Sequence, residues 1–141
     1  METENKTDTD GSPPSPIKVL LIDDEVAYVN ILAKRLAKRG FYVKVAYSGS
    51  QGILTLREED FNVAIVDLKM EDMDGIEVLK VFKKMLPGIA LIILTGHGSE
   101  QAAMDGIRFG AFDYLIKPCE LDDLINRVMD AYKASKNFTA L

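Results

Sequence analysis

The 141-residue chain has one cysteine, Cys119, one histidine, His97, and no apolar run longer than about six residues. A single thiol cannot close an internal disulfide and counts against a cysteine-based zinc site, a usage that suits a reducing compartment. Runs such as Ile89 to Leu94 fall far short of the roughly 20 apolar residues a membrane-spanning helix needs. The amino terminus is polar and acidic, without the basic region leading into an apolar one that marks a secretory signal. The glycines of TGHGS belong to neither a P-loop lysine motif nor a dinucleotide fingerprint, so no ATP site is expected. There is also no excess of positive charge: the net charge is −5, which argues against a nucleic-acid surface. These absences together describe a cytoplasmic protein with no membrane, nucleotide or direct nucleic-acid role.

What is present is a globular composition, 48% hydrophobic and 28% charged, in a length that fits one domain. Residues 1–16 stand apart. METENKTDTDGSPPSP has no hydrophobic residue after Met1, holds three prolines in its last four positions, and carries −3 of the net charge. Nothing in it can offset the entropy of ordering, so it is expected to be a disordered amino-terminal tail.

From Ile17 the pattern changes to KVLLID, a continuous apolar run of strand length that ends on acids, as a strand buried on both faces reads. Val26, Val29, Leu32, Ala33 and Leu36 then recur at helical spacing, with Gly40 as the stop. A second strand follows over Tyr42 to Tyr47. Ser48 is placed to cap a short helix carrying Ile53, Leu54 and Leu56, although Gly49 and Gly52 weaken it. FNVAIVD is a third strand, and Gly75 opens a helix with Ile76, Leu79 and Phe82 inward, stopped by Pro87 and Gly88. ALIILT is a fourth strand. The helix from Ser99 to Phe109 has small residues, Ala102, Ala103 and Gly106, on its inner face. FDYLIK is a fifth strand, and Leu121, Leu124, Ile125, Val128 and Tyr132 mark the last helix. Five strands alternating with five helices predict a doubly wound α/β fold, a parallel sheet covered on both faces.

In such a sheet, ligands bind beyond the carboxyl ends of the strands. Asp23 and Asp24 end the first strand, Asp67 the third, Thr95 the fourth and Lys117 the fifth. Carboxylates a few ångströms apart repel by about 4 kcal/mol per close pair at an effective dielectric near 20, so the cluster calls for a cation. Magnesium prefers oxygen donors, takes few carboxylates and commonly shares a phosphate oxygen. Lys117 offers a positive charge and Thr95 a hydroxyl donor, the groups that phosphoryl transfer needs for positioning and charge neutralisation. Asp67, central among the acids, is the candidate nucleophile for an aspartyl phosphate.

LLIDDE, VDLKMEDMDG, ILTGHGS and GAFDYLIKP, in this order over about residues 17–134, resemble the receiver domain of bacterial two-component response regulators. The resemblance implies a flavodoxin-like receiver fold with strand order 2-1-3-4-5. It implies phosphoacceptor chemistry at Asp67, supplied by a sensor histidine kinase or a histidine phosphotransfer protein. By the same resemblance Asp24 and Asp67 ligate Mg2+ (or Mn2+) directly, Asp23 acts through a water, and the backbone carbonyl of Lys69 completes the protein ligands. Thr95 and Lys117 contact the phosphoryl oxygens, Thr95 and Tyr114 form the switch, and Lys117-Pro118 matches a peptide that is cis in the family. The surface of helix 4, strand 5 and helix 5 is implied to meet a downstream effector or a second copy. The domain is expected to catalyse only its own phosphorylation and dephosphorylation and is not otherwise an enzyme. Two departures stand inside VDLKMEDMDG: Glu71 occupies a position that is most often proline, and Lys69 one that tunes phosphoryl lifetime.

Plainer readings apply elsewhere. An isolated Asp67 would read as a turn acid, and only its distant partners lift it above that. Glu71, Asp72 and Asp74 read as solvated loop residues, and a calcium loop fails because its first and twelfth places fall on Met70 and Val81. His97 reads as an exposed loop residue and Cys119 as a small packing residue. A constitutive interaction module that keeps the fold without phosphorylation competes with the switch, although neither the acid pair nor the lysine is lost. An aspartyl-phosphate hydrolase fits less well, since its Asp-x-Asp motif reads Asp67-Leu68-Lys69. Residues 135–141 are expected to be a carboxyl-terminal tail or a linker stub, with no effector following in the chain.

Overall fold

A computed structural model describes residues 15–140, with the backbone alone for 137–140. The expected disordered tail therefore falls almost wholly outside the described residues. Five strands, β1 (Lys18–Ile22), β2 (Tyr42–Ala46), β3 (Val63–Val66), β4 (Ala90–Thr95) and β5 (Asp113–Ile116), alternate with five helices. The helices are α1 (Val26–Lys38), α2 (Gly49–Glu58), α3 (Gly75–Met85), α4 (Glu100–Arg108) and α5 (Leu121–Ala140). The strands form one parallel sheet, as the alternation predicts, in the order β2-β1-β3-β4-β5 that the resemblance implies.

Burial follows from that order. The inner strands β3 and β4 are buried at every position, which is why they read as unbroken apolar runs; β2, an edge strand, alternates exposed and half-buried residues up to the buried Ala46. The two faces of β1 feed two cores. Leu20 and Ile22 pack with Leu56 of α2, Val78, Leu79 and Phe82 of α3 and Ala103 of α4. Val19 and Leu21 pack with Val29, Leu32 and Leu36 of α1 and Leu124 and Val128 of α5. Each fully buried side chain of this size contributes about 1.5–3 kcal/mol, so the two cores hold the helices at fixed heights on the sheet.

Several local expectations change. Val26 opens α1 but is 50% exposed, because the inward stripe begins one turn later at Val29. Ala102 faces solvent, and Ala103 and Gly106 alone make the buried face of α4. The glycines that weakened α2 in the sequence are buried in it. A Cβ on Gly52 would lie 2.9 Å from Ile22 Cδ1, and one on Gly49 2.9 Å from Met73 Sδ, so close packing outweighs helix propensity. Ser48 does cap α2, accepting the Gln51 N–H at 3.1 Å. The last helix continues to Ala140, through the residues expected to form a tail or linker stub. Among the described residues no helix is long and apolar enough to cross a membrane.

Candidate functional site

The carboxyl ends of β1, β3, β4 and β5 bring Asp23, Asp67, Thr95 and Lys117 together, all four side chains buried. Their backbones are held by ladder bonds that run past the strands proper. The Asp23 N–H donates to Ala46 O at 3.1 Å, the Asp67 N–H to Ile22 O at 3.0 Å, and the Lys117 N–H to Thr95 O at 2.7 Å. Each functional side chain thus springs from a backbone fixed by a neighbouring strand.

Asp67 is the hub. Its Oδ1 accepts the Thr95 hydroxyl at 2.7 Å and the Lys69 N–H at 3.3 Å, and its Oδ2 accepts from Lys117 Nζ at 3.4 Å. Lys117 Nζ also pairs with Asp23 Oδ2 at 2.8 Å and with the carboxylate of Glu25. Asp23 Oδ1 in turn accepts the Glu25 N–H at 2.9 Å. Burial pushes the Asp23 carboxyl above the usual range, against the opposing pull of its bonds from Lys117 and the Glu25 N–H. Burial by itself would lower the Lys117 ammonium, but its bonds to Asp23 and Glu25 outweigh this and hold it above the ordinary lysine value.

Two residues at this mouth were missed in the sequence. Glu25, the residue preceding α1, places its carboxylate with those of Asp23 and Asp67, ligand atoms all within 4.8 Å of one another. Tyr28, three residues on, puts its ring centroid 5.0 Å from Lys117 Nζ, and burial pushes its phenol up to about 12. The signals were there: a third acid in the run Asp23-Asp24-Glu25 and an aromatic one helical turn later. Neither is distinctive without knowing where Lys117 lies.

Asp24 commits one carboxylate oxygen to the loop after β3. Its Oδ2 accepts the Glu71 N–H at 3.1 Å, and it stands outside the group formed by Asp23, Glu25 and Asp67. A proline at position 71 has no N–H to make that bond, which gives the departure at Glu71 a structural consequence. The remaining acids of VDLKMEDMDG are caps. Asp72 accepts the N–H groups of Gly49 and Ser50, each at 3.0 Å, and the Ser50 hydroxyl, and those backbone donors hold its carboxyl low. Asp74 caps α3 through the Ile76 N–H at 2.9 Å. Lys69, exposed, forms an antiparallel bridge with Asp74 that closes the loop beside Asp67.

Tyr114 is half-buried against the core on the α2–α4 side of the sheet. The Lys117-Pro118 peptide is cis. His97 is exposed on the loop after β4, and Cys119 is half-buried with its thiol pushed up by burial, the state of a packing residue rather than a reactive thiolate. An oxygen-only donor set with two buried carboxylates fits a hard divalent ion such as Mg2+ or Mn2+. The cavity that touches Asp23 and Asp67 is only about 10 Å³. The large one, about 550 Å³ beside Lys18, Phe61 and Tyr132, lies at the opposite end of the strands.

Residues 19–129 match the family model of the response regulator receiver domain. The chain is 39% identical over 108 residues to the transcriptional regulatory protein ZraR of Salmonella typhimurium, covering 77% of this chain and 24% of that protein. It is 37% identical over 120 residues to the transcriptional regulatory protein GlrR of Escherichia coli, covering 85% and 27%. The chain thus spans about a quarter of the length of these curated relatives. Among solved structures, a response regulator receiver domain from Clostridium thermocellum superposes with a TM-score of 0.82 at 35% identity, covering 86% of this chain and 98% of that one. NtrX from Brucella abortus superposes with a TM-score of 0.84 at 26% identity, covering 89% of this chain and 29% of that one.

Proposed function

The chain belongs to the response regulator receiver-domain family, the signalling domain of two-component systems, and on that premise we propose that Asp67 accepts a phosphoryl group. The donor is the phosphohistidine of a sensor histidine kinase or of a histidine phosphotransfer protein. The observation that carries this reading is the convergence of the Thr95 hydroxyl and the Lys117 ammonium on the two oxygens of the Asp67 carboxylate.

An Asp67 oxygen forms a bond to phosphorus while the bond from phosphorus to the donor's imidazole nitrogen breaks. The electron pair of the broken bond stays on the imidazole, which leaves neutral because its other nitrogen carries a proton. Thr95 and Lys117, already on Asp67, need only small side-chain movements to reach the new phosphoryl oxygens, where charge is concentrated. Asp24 and Asp67 directly, Asp23 through a water and the Lys69 carbonyl are the groups proposed to hold Mg2+ or Mn2+. When bound, such an ion neutralises charge on the transferring phosphoryl oxygens.

The phosphoryl group, bearing about two negative charges where the carboxylate bore one, draws Thr95 toward it, and the space Thr95 leaves admits Tyr114 from its half-buried position. The surface of α4, β5 and α5, where Met104 and Ile107 lie exposed, then meets its effector or a second copy differently. The output proposed for a protein carrying this domain is transcriptional regulation, as the names of its relatives indicate for them. Incubation with acetyl phosphate or phosphoramidate and Mg2+ is expected to add one phosphoryl group by intact mass, and Asp67→Asn to abolish it. Uptake persisting in the Asn variant rules out Asp67 as the acceptor, and a native chain that neither binds Mg2+ nor gains mass points to the constitutive module.

A further inference from the structure

Lys117 is shared among three carboxylates that differ in one respect relevant to its release. Asp23 and Asp67 are buried, each side chain 6% exposed, whereas the Glu25 side chain is 61% exposed. The contact to Asp67 is also looser, 3.4 Å against 2.8 Å for Asp23, so the ammonium leans toward the α1 side of the mouth. Tyr28 reinforces that bias, since its ring lies 5.0 Å from the same ammonium. The start of α1 therefore holds Lys117 by a carboxylate and by an aromatic face.

Because Glu25 reaches solvent, it can exchange the lysine for water at little cost, which the buried acids cannot do. We propose that Glu25 is a positioning residue that holds Lys117 back from Asp67, so that transfer of the lysine to a phosphoryl oxygen requires the Glu25 contact to break. The proposal rests on Asp67 being the phosphoacceptor. Glu25 acts as an exchangeable counter-ion that slows phosphoryl uptake and shortens the time Lys117 spends on the phosphoryl group.

A double-mutant cycle tests this, with initial rates of phosphoryl uptake from phosphoramidate read by intact mass. Glu25→Gln, at an exposed position that leaves the core intact, is expected to raise the rate several-fold in the native background and to leave it unchanged in Lys117→Ala. An equal gain in both backgrounds, or no gain in either, overturns the proposal. A second measurement does not depend on uptake by the lysine variant. The gain from Glu25→Gln should persist in molar salt, where repulsion between exposed charges and an anionic donor is screened. A gain that disappears with salt assigns the effect to donor repulsion and equally overturns the proposal. A native chain that takes up no phosphoryl group removes the Asp67 reading itself; a reactive native chain that Glu25→Gln does not outpace removes only this one.

Discussion

At Asp23 burial and charge oppose each other most directly. Its carboxyl is raised by burial, and the bonds from Lys117 and the Glu25 N–H recover only part of that cost. A folded value above the unfolded one, about 3.9, means that the folded state binds the proton more tightly. The associated stability is present below about pH 3.9 and is lost as pH rises through the raised value. Asp23→Asn removes that loss, so it is expected to raise the melting temperature at neutral pH, and far less at about pH 3.5. Scanning calorimetry at the two pH values checks this; a fall at neutral pH contradicts it. Asp67, Thr95 and Lys117 were legible in the sequence because each follows or ends an apolar run, where a polar side chain is conspicuous. Glu25 was not, because an acid at the start of a helix reads the same whether it is solvated or holds a lysine.

Among the elements, the junction of β3 and α3 sets the tolerance of the site. Gly75 starts α3 so close to the preceding chain that an added Cβ would lie 2.5 Å from both Asp67 O and Leu68 Cα. These are backbone atoms and cannot turn aside as a side chain can. Gly75→Ala is expected to destabilise the fold by about 3 kcal/mol, at the upper end of overpacking costs, and to displace Asp67. Urea denaturation and phosphoryl uptake should fall together; a variant with native stability and native uptake excludes the close approach. The sequence identified Gly75 as a helix start but gave no hint of this contact, which depends on how α3 folds back over β3. Gly49 and Gly52 carry the same lesson in α2, where local propensity argued against a helix and contacts with Met73 and Ile22 required glycine.

Over the whole molecule, one parallel sheet gathers groups separated by up to 94 positions, Asp23 to Lys117, into one mouth. If that mouth holds a divalent ion in the folded state only, Mg2+ stabilises the chain by mass action, by about 2.7 kcal/mol at a hundred times its Kd. Thermal melts with increasing Mg2+ should show the rise, and Asp24→Asn should diminish it. No rise in the native chain argues against the ion-binding reading. The chain spans about a quarter of ZraR or GlrR.

The sequence by itself determined the alternation of elements, the parallel sheet and the set Asp23, Asp67, Thr95 and Lys117. Apolar periodicity is local, and a buried strand must end where its polar residues begin. Only the tertiary structure decided which oxygen faces which donor. It turned Asp24 toward the Glu71 N–H, made Asp72 and Asp74 caps, and brought Glu25 and Tyr28 to Lys117. Those choices depend on the height and rotation of α1 and of the loop after β3 relative to the sheet. Packing of the two cores sets both, and no spacing along the chain records them.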